Sequence, residues 1–269
     1  MTEPIRIALW SGPRNISTAM MRAFGNRPDT AVVDEPFYAA WLADSGADHP
    51  MRQEILAAQS TDWRRVVAAL LGPVPGGRAI FYQKQMAHHI TPDMDLAWMA
   101  GCRNAFLIRR PEEVLASYVV RRADVTLEDI GFPQLAALFD REAQRLGAPP
   151  PVIEARDVLA DPAGALTALC EAVGIDFHPA MLRWPAGRRP SDGVWAPAWY
   201  DAVERSTGFA PPRPPVSFGN LDPTLKPVAE AARAYYERLA RHRIGVLPPS
   251  PPSPGVGRDR SRSDQGGEV

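Results

Sequence analysis

Ile5-Arg6-Ile7-Ala8-Leu9-Trp10-Ser11-Gly12-Pro13-Arg14-Asn15-Ile16-Ser17-Thr18-Ala19-Met20-Met21-Arg22-Ala23-Phe24-Gly25 is the stretch around which the chain is organised. Ile5 to Trp10 is a short apolar run of strand formers. Ser11, Gly12 and Pro13 break it, and Met20, Met21 and Phe24 then recur at helical spacing, with Ser17 or Thr18 as the expected N-cap. A strand, a tight turn and a helix amino terminus make a natural anion site, because first-turn amides and the helix dipole both favour negative charge. Arg14 adds a cation there, and Asn15, Ser17 and Thr18 add donors. The Gly-Lys-Ser/Thr ending of the nucleotide-triphosphatase loop is absent. A well-capped βα turn with one solvated arginine is the competing reading of this stretch alone.

Outward from that element the pattern repeats. Thr30–Val33, Ala79–Gln83, Ala105–Ile108 and Pro151–Ala155 read as further strands, separated by helical segments at 39–72, Glu112–Arg121 and Leu135–Leu146. A helix from Pro162 to Val173 stops at Gly174, and Val228–His242 is the last one. Such alternation predicts a mostly parallel sheet with helices on both faces, with ligands held beyond the carboxyl ends of the strands. Arg14, Glu35, Lys84 and Arg109 each fall just past an expected strand end, which points to a single site. Residues 183–226, rich in Pro, Gly and Trp, read as an ordered loop region. Residues 1–245 form the expected α/β domain, and 246–269, rich in Pro, Ser, Arg and Gly, read as a disordered tail.

Composition narrows the classes. A net charge of −1 gives no global field toward nucleic acid or an anionic membrane, and no apolar run reaches membrane-spanning length. A first strand at residue 5 leaves no room for a signal peptide, and Cys102 and Cys170 sit in apolar segments, so a soluble cytoplasmic protein with reduced thiols is expected. Lys84 and Lys226 are the only lysines, so a retained lysine carries information. The sequence specifies no oligomeric state.

Four segments together resemble the sulfotransferases that use 3′-phosphoadenosine 5′-phosphosulfate (PAPS). Pro13-Arg14-Asn15-Ile16-Ser17-Thr18 is similar to the family's 5′-phosphosulfate loop, with Ile16 where glycine is usual. Arg109 through Ser117 matches the element in which an arginine and a serine eight positions later hold the 3′-phosphate. Asp157-Val158-Leu159-Ala160-Asp161-Pro162 resembles the family's later acidic segment. Arg188-Arg189-Pro190-Ser191-Asp192-Gly193-Val194-Trp195 matches the spacing of the late loop that closes over the 3′-phosphate.

The resemblance implies a doubly wound, three-layer α/β fold with a four- or five-stranded parallel sheet. It also implies sulfuryl transfer from PAPS to a hydroxyl or amine, with no metal, and the lack of a signal or membrane anchor makes a small intracellular acceptor the expected one. Arg14 would stabilise the leaving phosphate, with Asn15, Ser17 and Thr18 around the 5′ end. Arg109, Ser117, Arg188, Arg189 and Trp195 would serve the 3′-phosphate. Glu35, by its spacing from Arg14, is the expected base; His88 or His89 is the rival, and Lys84 would assist the sulfuryl oxygens. A non-catalytic nucleotide-binding member and a divergent P-loop kinase or hydrolase are the alternatives. An aminotransferase acting through a Lys84 imine has no other sequence support.

Overall fold

Alternate residues of the central strands supply two different cores. The computed structural model describes residues 3–119 and 125–245. Five parallel strands, β1 (Ile5–Ser11), β2 (Thr30–Asp34), β3 (Ile80–Met86), β4 (Arg103–Ile108) and β5 (Val152–Glu154), form one sheet in the order β2-β3-β1-β4-β5. Ile7, Leu9, Tyr82, Ala105, Leu107 and Ile153 face one side; Ala8, Trp10, Phe81, Phe106, Ile108 and Val152 face the other. That is the period-two alternation of a sheet buried on both faces.

The connecting helices are α1 (Ser17–Gly25), α2 (Tyr38–Ser45), α3 (Arg52–Ala58), α4 (Trp63–Leu71), α5 (Pro111–Tyr118), α6 (Phe132–Leu146), α7 (Ala155–Ala160) and α8 (Pro162–Ala172). Short α9 (Ala196–Trp199) and α10 (Asp201–Glu204) precede the last helix, α11 (Lys226–Ala240). α1 contributes Met20, Met21 and Phe24, and α8 contributes Leu166 and Leu169, to the first face. α4, α6 and α11 cover the second with Leu70, Phe139 and Leu239 among others. Cys102 and Cys170 are free, buried thiols on opposite faces. The three-layer, doubly wound architecture is the one expected.

The differences are local. β3 continues to Met86, so Lys84 stands inside a strand and not past its end, and its side chain is buried. β5 stops at Glu154, and Ala155 opens the unanticipated α7. α5 ends at Tyr118; the expected extension to Arg121 runs into residues 120–124, outside the described residues, as is the tail at 246–269.

The chain leaves β1 toward β2 and β3 on one side and crosses to β4 and β5 on the other. The carboxyl end of β1 is therefore the topological switch point. Segment 185–200 is clipped onto this body. Asp192 pairs with Arg22 of α1 at 2.7 Å, with side chains 0% and 1% exposed, and also accepts from the Arg189 amide. A buried cation that loses its partner keeps its desolvation cost, so Asp192→Ala should destabilise the fold by about 3–5 kcal/mol in urea unfolding. A loss below about 1 kcal/mol, the level of an exposed pair, would show that the pair is not sealed from water.

Candidate functional site

The turn after β1 is set by steric contact before any charge is considered. A Cβ on Gly12 would lie 2.5 Å from the Ile130 carbonyl oxygen, so this position admits only glycine. Arg14 (φ 57°) and Ile16 (φ 40°) both adopt the left-handed conformation, with buried Asn15 between them donating to the Leu107 carbonyl at 2.7 Å. Ile16 thus takes the backbone geometry that favours glycine. The strain this imposes on a β-branched residue is offset by packing against the α1 and α8 core. Ile16 itself is the N-cap, and no side chain caps α1, contrary to the capping role expected of Ser17 or Thr18. The first-turn amides of α1 have no intrahelical acceptor, and Ser17 and Thr18 line a cavity beside them.

A chain of bonds runs from this turn across the ends of β4 and β5. Arg14 Nε donates to Ser117 Oγ at 2.9 Å, and Arg109 Nη1 donates to the Arg14 carbonyl at 2.8 Å. Arg109 Nε also pairs with Glu113 at 3.0 Å, whose other oxygen meets Arg156 at 3.3 Å. Arg156 donates in turn to the Arg213 carbonyl at 3.3 Å.

A second group gathers at the ends of β2 and β3, where Asp34 and Lys84 are register partners. Lys84 Nζ donates to Asp34 Oδ1 at 2.8 Å, Glu35 Oε1 at 2.5 Å and the Tyr200 hydroxyl at 2.7 Å. Tyr200 donates to Asp34 Oδ2 at 2.7 Å and accepts from Trp195 Nε1 at 3.1 Å, while the Gly193 amide donates to the same Asp34 oxygen. All three ammonium protons of Lys84 are thereby engaged. Burial opposes the charge on Lys84, but Asp34, Glu35 and Tyr200 outweigh it and hold the pKa well above the ordinary lysine value. Burial raises the Glu35 carboxyl, aided by Asp34 and opposed by Lys84. Glu35, in a left-handed backbone conformation, keeps 12% of its side chain exposed, against 2% for Asp34.

His88 and His89 follow β3 in a short turn, His89 buried and His88 half-buried. The His89 ring stacks on Tyr38 (4.4 Å) and Trp41 (5.0 Å), with Nδ1 4.0 Å from Glu35 Oε2, too far for a hydrogen bond. Burial, then His49, pushes His88 down to about 3, and burial, then His88 and His49, hold His89 well below the ordinary range. Both imidazoles are neutral at physiological pH.

One cavity of about 690 Å³ unites the two groups. Arg14, Asn15, Ser17, Thr18, Glu35, Lys84, His88, Arg109 and Ser117 all line it. Arg188, Arg189 and Trp195 are not among the residues that line it. Asp192 of the same loop pairs with Arg22 of α1, and the Trp195 ring is buried edge-on against Tyr38 at 5.0 Å. Arg156 and Arg213 stand in the lining instead. Arg156, two residues beyond β5, obeys the strand-end rule that singled out Arg14 and Arg109; Arg213, Tyr200 and the buried role of Asp34 gave no local signal. Among the described residues no three His, Cys, Asp or Glu side chains converge as metal ligands, and no helix is long and apolar enough to cross a membrane.

Fold and cavity define a parallel α/β protein with an arginine-lined cavity at its switch point. A family model described as a sulfotransferase domain matches residues 5–244, and the chain belongs to that family. It is 35% identical over 254 residues to branched-chain-amino-acid aminotransferase-like protein 1 of Arabidopsis thaliana, covering 93% of this chain and 45% of that protein. The corresponding protein 2 of Arabidopsis thaliana is 32% identical over 249 residues, covering 90% and 44%. The chain thus spans somewhat less than half the length of these curated relatives. Among solved structures, the sulfotransferase domain from the Synechococcus PCC 7002 olefin synthase is similar at 16% identity and a TM-score of 0.47, covering 86% of this chain and 95% of that one.

The neutral histidines generate a pH dependence with a definite sign. Their folded-state pKa values lie below the ordinary 6.5, so unfolding takes up protons below that pH. Their stabilisation is complete above about pH 6.5 and is lost as the pH falls toward the depressed folded values, by roughly 1.4 kcal/mol per pH unit and histidine. Urea midpoints should therefore drop between pH 7 and pH 5, and His88→Gln should flatten that slope. A flat profile in the parent protein would mean that the rings are hydrated.

Proposed function

We propose that this chain transfers a sulfuryl group from PAPS to the hydroxyl or amine of a small acceptor. One observation carries the reading: the α1 amino terminus with Arg14, and the Arg109–Ser117 element, meet the Glu35 carboxylate across a single cavity. The 5′-phosphosulfate falls to Arg14, Ser17, Thr18 and the α1 amides, through charge-assisted bonds. The 3′-phosphate falls to Arg109 and Ser117, with Arg156 and Arg213 in the role expected of Arg188 and Arg189.

In the transfer, Glu35 takes the acceptor proton as the acceptor oxygen or nitrogen bonds to sulfur. The bond from sulfur to the phosphate oxygen breaks, and its electron pair leaves with the bisphosphate, whose charge Arg14 offsets. Glu35 is favoured over His88 because burial raises its basicity while lowering that of the imidazole. Lys84 serves as the fixed partner of Glu35, since its protons are already committed and none is left for the sulfuryl oxygens. The same commitment opposes imine chemistry, which needs a neutral amine, although the curated relatives carry aminotransferase-like names.

Adenosine 3′,5′-bisphosphate should raise the melting temperature by mass action, and ATP with magnesium should do so much less. Equal shifts, or none, would sink the donor assignment. Arg156→Ala and Arg213→Ala should each weaken bisphosphate binding roughly 10- to 100-fold, as for a lost charge-assisted bond, while Arg188→Ala leaves it unchanged. In the Glu35→Gln protein, donor affinity should hold and turnover should fall roughly 10²- to 10⁴-fold. Near-normal turnover would transfer the role of base elsewhere.

A further inference from the structure

The cavity is divided by charge as well as by element. At the β1, β4 and β5 ends, Arg14, Arg109, Arg156 and Arg213 outnumber Glu113. At the β2 and β3 ends the balance is reversed: Asp34 and Glu35 share the single ammonium of Lys84, whose donors are all taken. The lining there includes Tyr38, Tyr118, Trp199 and the histidines, of which His88 and His89 are uncharged and His49 is bonded to the Tyr38 hydroxyl at 2.7 Å. A ligand group placed at Glu35 therefore finds, among the described residues of this second group, aromatic surface and an excess carboxylate, but no uncommitted cation.

We propose that the acceptor is a hydroxyl compound with an apolar body and no negative charge, and that Glu35 excludes anionic acceptors. The proposal rests on the reading above that the acceptor binds at the Glu35 end. Three features of the site support it. Bringing a second negative charge to Glu35 adds like-charge repulsion in a setting where water is largely excluded. Neutral rings pack on Trp199, the partly exposed aromatic of this lining, at no electrostatic cost, and a cation gains from both its ring face and the carboxylate. The arginines that would welcome an anion belong to the other bonded group and are occupied when the donor is bound.

The test uses three probes with the same phenol ring: tyramine, which is cationic, tyrosol, which is neutral, and 4-hydroxyphenylacetate, which is anionic. Dissociation constants are measured by ligand-observed NMR titration of the full chain saturated with adenosine 3′,5′-bisphosphate. Tyrosol and tyramine should bind, and 4-hydroxyphenylacetate should bind roughly tenfold or more weakly. In Glu35→Gln that gap should close, chiefly through better binding of the anion and weaker binding of the cation. The proposal is overturned if the anion binds as tightly as the neutral probe, if Glu35→Gln leaves the gap intact, or if none of the three binds at millimolar concentration. The parent protein alone supplies the first and third of these results, so a variant that fails to fold does not rescue the idea. Failure of the donor reading shows separately, as a protein that bisphosphate does not stabilise. The titration is then run on the free protein, where the change on Glu35→Gln still isolates the share of the discrimination that Glu35 supplies.

Discussion

Lys84 is an ammonium group taken almost wholly out of water, and the rest of the site is arranged to make that tolerable. Two carboxylates and a phenol hydroxyl surround it, drawn from β2, the turn that follows it and the distant segment before α10. A lone buried cation costs several kcal/mol in desolvation, whereas one with every proton bonded keeps its charge. The arrangement fixes Glu35 in a left-handed backbone conformation beside the cavity and holds segment 193–200 against the sheet. The geometry of the Glu35 carboxylate and the closure of the fold at this end therefore depend on one charge.

The opposite end is organised differently. There the cations are partly exposed, alternate with Glu113 and backbone carbonyls, and are stitched together by bonds to those acceptors. Arginine suits this role because its planar fork presents several donors and keeps its charge in any surroundings. One end is thus pre-paired and buried, the other a set of cations spaced around an opening, and the polarity of the cavity follows from that difference.

Much of this was legible in the sequence, and for a physical reason. A parallel sheet places whatever follows its strands at one edge, so Arg14, Glu35 and Arg109 were bound to converge once the strands were recognised. Lys84 converged too, although it lies within β3, because its register partner is Asp34. Local pattern failed where distant residues decide. Nothing near Tyr200 announces a bond to residues more than a hundred positions earlier. The pair Arg188–Arg189 has the right spacing for a phosphate loop, but nothing in that spacing announces that Asp192 three residues on pairs with Arg22, or that neither arginine lines the cavity. Propensity likewise nominates Ser17 as a cap, while the tertiary setting of the turn puts Ile16 there in a conformation its side chain resists.

The clasp between Asp34, Lys84 and Tyr200 has a consequence for the order of events during synthesis. The last strand of the sheet is complete at Glu154, yet the phenol that seals the buried charges is not made until about 50 residues later, roughly 2–10 s at ordinary elongation rates. For that interval the nascent chain holds all five strands while Asp34 lacks two of its three partners and Arg22 lacks Asp192. The arrival of residues 192–200 supplies those partners and closes this end of the sheet, before α11 completes the cover of the second face.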